Sequence, residues 1–332
     1  MNGRRMLKLL ALVIAVAGLR LVVGRSADGS LTIELAHGAI LGYRLSALLT
    51  AALAGAALGL AGLCMQVLLR NPLAAPSVLG VTSGASLGVS LAAVATANAW
   101  VAGSVVPAWL NMSIEAAAAV AGAIGALSLV WVIAVRRGGI DPISVVLAGV
   151  VLGAVLGAVA MGLQWALPPH SRADVSLWMM GRVPEVPSWP VVIVSAVAIA
   201  TSLCAALGSS VAMDAAAAGE NEARSMGVPM HSLRMRLLLA AGVLSGCAVA
   251  LCGPIAFVGF VAPHLARGMV GPRARPLVVA APLCGVIVLV GADACRLLVP
   301  TTQGRIPIGV VTACVGGLWF LRFIRRGREA WT

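Results

Sequence analysis

Apolar stretches long enough to cross a lipid bilayer recur along almost the whole chain, and no other feature limits the possible folds so strongly. A helix needs about 20 predominantly apolar residues to span the hydrocarbon core. Apolar windows separated by charges, prolines or glycine clusters lie at 6–23, 44–69, 78–98, 113–135, 143–166, 190–208, 233–252, 255–270, 277–298 and 306–324. The sequence therefore predicts about ten transmembrane helices, in a single transmembrane domain over 1–332.

The overall composition supports a membrane protein whose spans are helical. Of the 332 residues, 61% are hydrophobic and 10% are charged, whereas soluble domains are about half apolar and about a quarter charged. A water-soluble fold would lack the polar residues to cover its surface. Aromatic residues make up only 4%, and the apolar runs have helical lengths instead of the short alternating segments of a membrane β-barrel. The predicted class is all-α.

Two of the windows depart from a simple spanning helix. Residues 1–23 are basic and then apolar, as in a signal peptide, but no convincing small-residue cleavage pattern follows and Arg20 interrupts the region. We therefore expect a retained first helix. The window 255–270 is short, follows Gly253-Pro254 and contains Pro263. We expect a broken or part-way helix there, tolerated where its freed backbone groups face protein or water.

Basic residues are distributed unevenly between the two ends of the predicted spans. With both termini in the cytoplasm, seven of the 23 basic residues fall on the outer side and the other sixteen on the cytoplasmic side. The seven are Arg20, Arg25, Arg44, Arg172, Arg182, Arg296 and Arg305. This asymmetry follows the positive-inside rule and predicts a multi-pass protein of the cytoplasmic (inner) membrane. It also accounts for the formal charge of +12 without a nucleic-acid partner.

The chain lacks the residues that an energy-supplying or catalytic subunit requires. A P-loop needs a lysine after its glycines to reach the β- and γ-phosphates. Lys8 is the only lysine and Leu9 follows it, so an ATP-driven process would need a separate subunit. The four histidines and seven cysteines show no metal-site spacing, and no hydrolase motif is present. We expect neither an enzyme nor a resident cofactor.

An ion-coupled secondary transporter is the alternative that the residues leave open. Such carriers usually place carboxylates or a histidine pair within the bilayer, where these groups are costly. Asp293 comes closest to such a position, but it lies toward the outer end of its helix, within reach of Arg296 at i+3. The sequence therefore disfavours a secondary carrier.

The segment 209–233 differs from the other connections. It reads SSVAMDAAAAGENEARSMGVPMHSL, which is too hydrophilic to span a membrane but rich in helix-forming residues. Its composition and the ending Gly227-Val228-Pro229 predict one or two short helices at the cytoplasmic face. Two interpretations remain for it, a docking surface for a partner and an ordinary solvated connector.

Glycines recur four residues apart within several of the predicted helices. Such pairs allow helix backbones to approach closely in lipid, where close contact replaces the hydrophobic driving force. They are Gly55/Gly59, Gly84/Gly88, Gly149/Gly153/Gly157 and Gly242/Gly246. We expect a tightly packed helix bundle.

Three motifs carry a family resemblance. They are RNPLAAPSVLG at 70–80, GPIAFVGFVAPHLAR at 253–267 and PIGVVTA at 307–313. In this order they resemble the FecCD-type permeases of ABC importers, which carry iron–siderophore complexes, haem and vitamin B12. The likeness covers almost the whole chain and includes SLWMMGR and AAGENEARSMGV.

The resemblance implies an assembly and a topology. Helices two to five and seven to ten would form repeats of opposite orientation. Two permease subunits, identical or related, would enclose the pathway, two ATP-binding cassette subunits would supply the energy, and an extracytoplasmic binding protein would deliver the cargo. Iron–siderophore complexes rank ahead of haem and cobalamin as the cargo.

The resemblance also assigns residues by motif position. Arg44 and Arg296 would dock carboxylates of the binding protein, a task that suits permanently charged guanidinium groups; interfacial anchoring is the alternative for each. Ser46 and Ala47 stand where many relatives have a proline and a second arginine, so docking would use fewer charges unless Arg305 compensates. Asn71 and Leu73 would form a cytoplasmic gate. The ATPase-coupling residues would be Asp214, Gly219, Glu220, Glu222, Arg224 and Gly227.

Overall fold

The computed structural model describes residues 3–25, 30–101, 108–136, 139–140, 142–299 and 305–327. These ranges form thirteen α-helices, one 3-10 helix at Pro76–Leu79 and four short strands. The helices are α1 Gly3–Val22, α2 Ala39–Leu68, α3 Val81–Val101, α4 Ala108–Ala134, α5 Pro142–Gln164, α6 Pro169–Met179, α7 Trp189–Gly208, α8 Ser210–Ala218, α9 Glu220–Ser225, α10 Met230–Cys252, α11 Val258–Val270, α12 Ala274–Leu298 and α13 Ile308–Gly327. The all-α prediction is confirmed.

Each of the ten predicted windows coincides with one helix, namely α1 to α5, α7 and α10 to α13. By length and composition, six helices within the described ranges could cross a membrane by themselves: α2, α4, α5, α7, α10 and α12. The described parts of α3 and α13 give shorter apolar helices. The predicted repeat would relate α2–α5 to α10–α13, and this relationship stays a prediction.

Several short elements were not predicted from the sequence. Helix α6 lies between the fifth and sixth windows. Strands β1 Val23–Arg25 and β2 Leu31–Ile33 pair antiparallel between α1 and α2, and β3 Val135–Arg136 and β4 Gly139–Ile140 pair between α4 and α5. These pieces are too short, and too rich in ordinary surface residues, to give a periodic signal.

Helix α2 is the centre of the bundle. In its most apolar stretch 72% of the residues are buried, compared with 67% in α10 and 61% in α12, whereas α4, α5 and α7 reach only 28%, 22% and 17%. Both α10 and α12 pack directly against α2. The apolar faces of α4, α5 and α7 are therefore the ones left for lipid or for other subunits.

Close backbone contact at glycines explains how α2 and α12 pack. A Cβ added to Gly55 would lie 2.5 Å from the carbonyl oxygen of Gly285, and one added to Gly59 would meet the carbonyl of Ala281. Helices α3 and α4 meet in the same way, with Gly84 against Gly122. The prediction of tight helix contacts at paired glycines is confirmed for these helices.

Helix α11 is short, as the sequence predicted. Its 13 residues span about 20 Å, less than the hydrocarbon thickness. It begins after Phe257, which adopts the left-handed backbone conformation at φ 66°, and it includes Pro263. The His264 ring lies 4.8 Å from the Phe260 ring, centroid to centroid, so His264 packs against a residue of its own helix.

Candidate coupling loop, docking residues and gate

The segment 209–233 contains two short helices, α8 and α9, directly before α10. Gly219 separates them, and a Cβ at this position would collide with the carboxylate of Glu222. Gly227 ends α9 with a left-handed φ of 78°, and its amide donates to the carbonyl of Arg224 at 3.0 Å. A glycine is favoured there because side chains penalise this conformation. The prediction of short helices is confirmed, and both glycines shape their connection.

Asp214, on α8, connects this loop to the core helix α12. Its Oδ1 accepts a 2.6 Å hydrogen bond from the backbone amide of Ala274, the first residue of α12. The carboxylate therefore satisfies an otherwise unpaired amide and places negative charge at the positive end of the helix dipole.

Glu220, at the start of α9, connects the loop to α10. Its carboxylate accepts hydrogen bonds from Arg224 at 2.9 Å and from Arg234, on α10, at 2.7 Å. These two guanidinium groups hold the pKa of the Glu220 carboxyl below its usual value. The side chain of Glu222 is exposed. The loop is thus fastened to α12 by one acid and to α10 by another.

At the opposite end of α12, Asp293 lies between two arginines. Its Oδ1 accepts a 2.6 Å hydrogen bond from Nε of Arg296, and its Oδ2 accepts one from Nε of Arg20 on α1. All three side chains are at least 96% buried. The i+3 pairing of Asp293 with Arg296 was predicted from the sequence, whereas its pairing with Arg20 was not.

This ion cluster bears on the docking residue predicted at Arg296. The Arg296 guanidinium is buried, bound to Asp293, and placed 3.4 Å from the carbonyl of Ile306. The geometry gives Arg296 a role within this subunit, and its docking role stays a prediction.

Arg44 lies in the first turns of α2 and is also committed to its own subunit. One guanidinium nitrogen donates to the carbonyls of Leu21, Val22 and Glu34 at 2.6, 3.2 and 2.9 Å. These carbonyls belong to the end of α1 and to the residue that follows β2. Arg44 therefore closes the β1–β2 hairpin over the start of α2, while its side chain stays partly accessible.

The predicted gate residues lie in a turn just after α2. The Asn71 side-chain oxygen accepts a 2.9 Å hydrogen bond from the Leu73 amide, a local arrangement that fixes the turn. Both side chains are exposed, Leu73 by 47%. They are therefore free to contact another subunit or a pathway.

A polar contact near the end of α2 was not found by sequence reasoning. Gln66 is buried to 97%, and its side-chain oxygen accepts a hydrogen bond from Arg267 on α11. Its Nε2 has no hydrogen-bond partner in the described part of the chain. Elsewhere, Arg305 forms an ion pair with Glu185, and across the described ranges no three His, Cys, Asp or Glu side chains come together as a metal site.

These features define a class of protein. The chain is a polytopic membrane permease with no phosphate-binding motif, and at one end of its bundle a polar helical loop is hydrogen-bonded to two core helices. If its transport is driven by ATP, a separate subunit must bind the nucleotide.

Comparison with known proteins makes the assignment specific. The FecCD transport family matches residues 8–326. The vitamin B12 import system permease protein BtuC of Vibrio cholerae is 35% identical over 97% of this chain and 94% of its own length. The hemin transport system permease protein HmuU of Yersinia pestis is 33% identical, over 87% of this chain and 84% of its own length. The ferric enterobactin permease FepG of Escherichia coli is 34% identical, over 84% of this chain and 80% of its own length.

A solved structure agrees with these relatives. A metal-chelate type ABC transporter in an inward-facing conformation superposes with a TM-score of 0.83 at 25% identity, covering 98% of this chain and 99% of that one. The chain belongs to the FecCD transport family. It is the inner-membrane permease subunit of an ABC importer for metal chelates, and it is not an enzyme.

Proposed function

We propose that this permease moves a ferric siderophore into the cytoplasm. It would do so as one of two permease subunits, with two ATPase subunits and an extracytoplasmic binding protein. Relatives named for ferric enterobactin and ferric citrate import support an iron chelate. Relatives named for vitamin B12 and hemin have nearly the same identity, so cobalamin and haem are the competing cargoes to be measured. An ion-coupled carrier, the alternative from the sequence, gains no support.

The observation that supports coupling to a separate ATPase is the double attachment of the loop formed by α8 and α9. Asp214 holds α12 and Glu220 holds α10, so a partner that moves the loop pulls on two core helices at once. In this proposal the ATPase contacts Asp214, Gly219, Glu220, Glu222, Arg224 and Gly227. The exposed side chains of Glu222, Arg224 and Met226 supply charge and apolar area for that contact.

The proposed docking site for the binding protein is the opposite end of the bundle. Arg44 would offer its partly accessible guanidinium to a carboxylate, in exchange for one of its contacts with the β1–β2 hairpin. Arg296 would be the second docking arginine, although its guanidinium also binds Asp293 within this subunit. An Arg44→Lys variant separates docking from the structural role of Arg44. Lysine keeps the positive charge but loses the guanidinium group that binds the carbonyls of Leu21, Val22 and Glu34.

Asn71 and Leu73 are proposed as the cytoplasmic gate. Two copies of this turn, one from each permease subunit, would narrow the exit with a polar and an apolar side chain. In a Leu73→Ala variant we expect faster leak of a small fluorescent solute from proteoliposomes, with the fold unchanged. An unchanged leak rate in that variant would remove Leu73 from the gate.

Uptake by the reconstituted transporter tests the function as a whole. Proteoliposomes would contain the permease and its ATPase, with binding protein outside and ATP inside, and would be offered a radiolabelled ferric siderophore, haem or cobalamin in turn. We expect siderophore accumulation that requires both ATP and binding protein. Preferred uptake of another chelate would correct the cargo, and accumulation under an ion gradient without nucleotide would overturn the mechanism.

A further inference from the structure

A long apolar groove on the surface of the bundle lies next to a small charged cleft. The groove lies between α4, α7 and α10, has a volume of about 560 Å³, and is walled by side chains such as Val120, Ile124, Val194 and Val243. Its residues on α4 run from Ala116 to Leu127, a distance of about 16 Å along the helix. This length matches one leaflet of a hydrocarbon core about 30 Å thick.

The charged cleft adjoins the outer end of this groove. Ala116, Ser188 and Val191 line both spaces, so the cleft and the groove are immediate neighbours. The cleft holds one carboxylate, Glu115, and one guanidinium, Arg182. Within the described residues the two side chains form no ion pair with each other or with another group.

Trp189 indicates the level at which the cleft lies in the membrane. Trp189 begins α7 immediately after Ser188 and is 54% exposed, and tryptophans of this kind gather at the headgroup level of membranes. An elongated apolar groove of one leaflet's length, with a positive and a negative group at its headgroup end, is complementary to a zwitterionic phospholipid.

We propose that this groove and cleft form a binding site for an outer-leaflet aminophospholipid of the phosphatidylethanolamine type. An acyl chain lies in the groove between α4, α7 and α10. The lipid phosphate accepts hydrogen bonds from Arg182, whose fork geometry suits phosphate oxygens. The primary ammonium donates to the Glu115 carboxylate. A choline headgroup has no N–H to donate, and a glycerol headgroup has no cation, so the site distinguishes lipids by headgroup.

Lipid retention by the purified transporter tests this site independently of the cargo. The complete importer would be reconstituted in nanodiscs with equal amounts of phosphatidylethanolamine, phosphatidylcholine and phosphatidylglycerol, then released for native mass spectrometry. We expect phosphatidylethanolamine to be retained about fivefold over the other two, the selectivity expected for an interfacial charge pair. Glu115→Gln should abolish this preference, and Arg182→Gln should lower retention of all three lipids.

A pair of groove-filling variants provides the matched control. Ala198→Phe fills the proposed groove and should reduce lipid retention. Gly125→Phe fills a second apolar groove, between α3, α4 and α5, which has no charged residue in its lining, and it should leave the phosphatidylethanolamine preference intact. Equal retention of the three lipids by the wild type, or an unchanged preference in Glu115→Gln, would overturn the proposal. So would a groove occupied by a second permease subunit, detected by cross-linking between cysteines introduced at Ala198.

Discussion

Asp214 and Ala274 lie 60 residues apart in the sequence and are joined by a 2.6 Å hydrogen bond from the backbone amide to the carboxylate. The bond fastens α8 to the first turn of α12. Helix α12 has 25 residues and is about 37 Å long, and its other end carries the buried cluster of Arg20, Asp293 and Arg296. One helix, which contains Pro282, therefore connects the proposed ATPase contact with the proposed docking face.

Removing the Asp214 cap should loosen the loop from α12. We expect Asp214→Ala to cost about 1 kcal/mol of local stability, as for other helix-capping carboxylates, and to reduce uptake while membrane insertion continues. Asp214→Asn keeps a side-chain oxygen at the cap and should retain most of the uptake. Hydrogen exchange of segment 209–233 measures the loosening, and equal exchange in Asp214→Ala and the wild type would contradict this role.

Acid should release the loop from α10 through Glu220. The pKa of this carboxyl is lowered in the folded protein by hydrogen bonds from Arg224 and then Arg234. Its contribution to stability is therefore complete above the unfolded-state pKa of about 4.3 and is lost as the pH falls through the lower folded-state pKa. We expect lower hydrogen-exchange protection factors around α9, with rates corrected for intrinsic exchange at each pH, once the pH falls below the unfolded-state pKa of about 4.3. The protection factors should not change between neutral pH and pH 6.

Two variants isolate the Glu220 effect. Glu220→Gln should show the lower protection factors already at neutral pH and no further change with pH, at a cost of roughly 0.2–1 kcal/mol for a partly exposed pair. Glu222→Gln, two residues further on and exposed, should keep the wild-type profile. A pH-independent wild type, or the same profile in Glu220→Gln, would exclude Glu220 as the responsible group.

Breaking the buried cluster at Asp293 should destabilise the protein strongly. Asp293→Ala leaves Arg20 and Arg296 buried without their shared acceptor, a situation that costs about 3–5 kcal/mol. Replacing all three residues by leucine removes the charges together and should cost less. Thermal unfolding in detergent measures both. A triple variant less stable than Asp293→Ala would show that the cluster contributes net stability.

The same variants address the docking role of Arg296. If Arg296 serves only to stabilise the fold, the affinity of the permease for the binding protein should follow thermal stability and recover in the leucine triple variant. If Arg296 also docks, affinity should stay low in the triple variant although stability returns.

The sequence was sufficient to predict where the long helices lie, but not which polar side chains from different helices contact each other. The length of the apolar windows located ten of the helices, because a membrane requires each span to be long and apolar. It gave no signal for α6 or the β1–β2 hairpin, which lie outside the spans. Asp293 and Arg296 could be paired by helix periodicity, but Arg20 could not, since its partner lies 273 residues away.

The coupling loop shows the same limit. Gly227 and the short helices follow from local turn chemistry. The hydrogen bonds from Asp214 to α12 and from Glu220 to α10 depend on how distant helices pack, which one sequence does not specify. Motif resemblance assigned these acids to a surface that contacts a partner, whereas the structure shows that both also bind their own subunit.

The contact between α2 and α12 yields a final prediction. Gly55→Ala adds a Cβ that would lie 2.5 Å from the Gly285 carbonyl oxygen, so the two helices must separate. We expect a loss of about 1–3 kcal/mol, the usual cost of overpacking, and lower uptake because α12 also bears the Asp214 cap. Gly125→Ala on α4 is the matched control, since a Cβ there meets nothing within 4 Å. It should be neutral or slightly stabilising. Thermal unfolding and uptake should be measured for the two variants side by side. If Gly55→Ala and Gly125→Ala gave the same results, this close packing would be refuted.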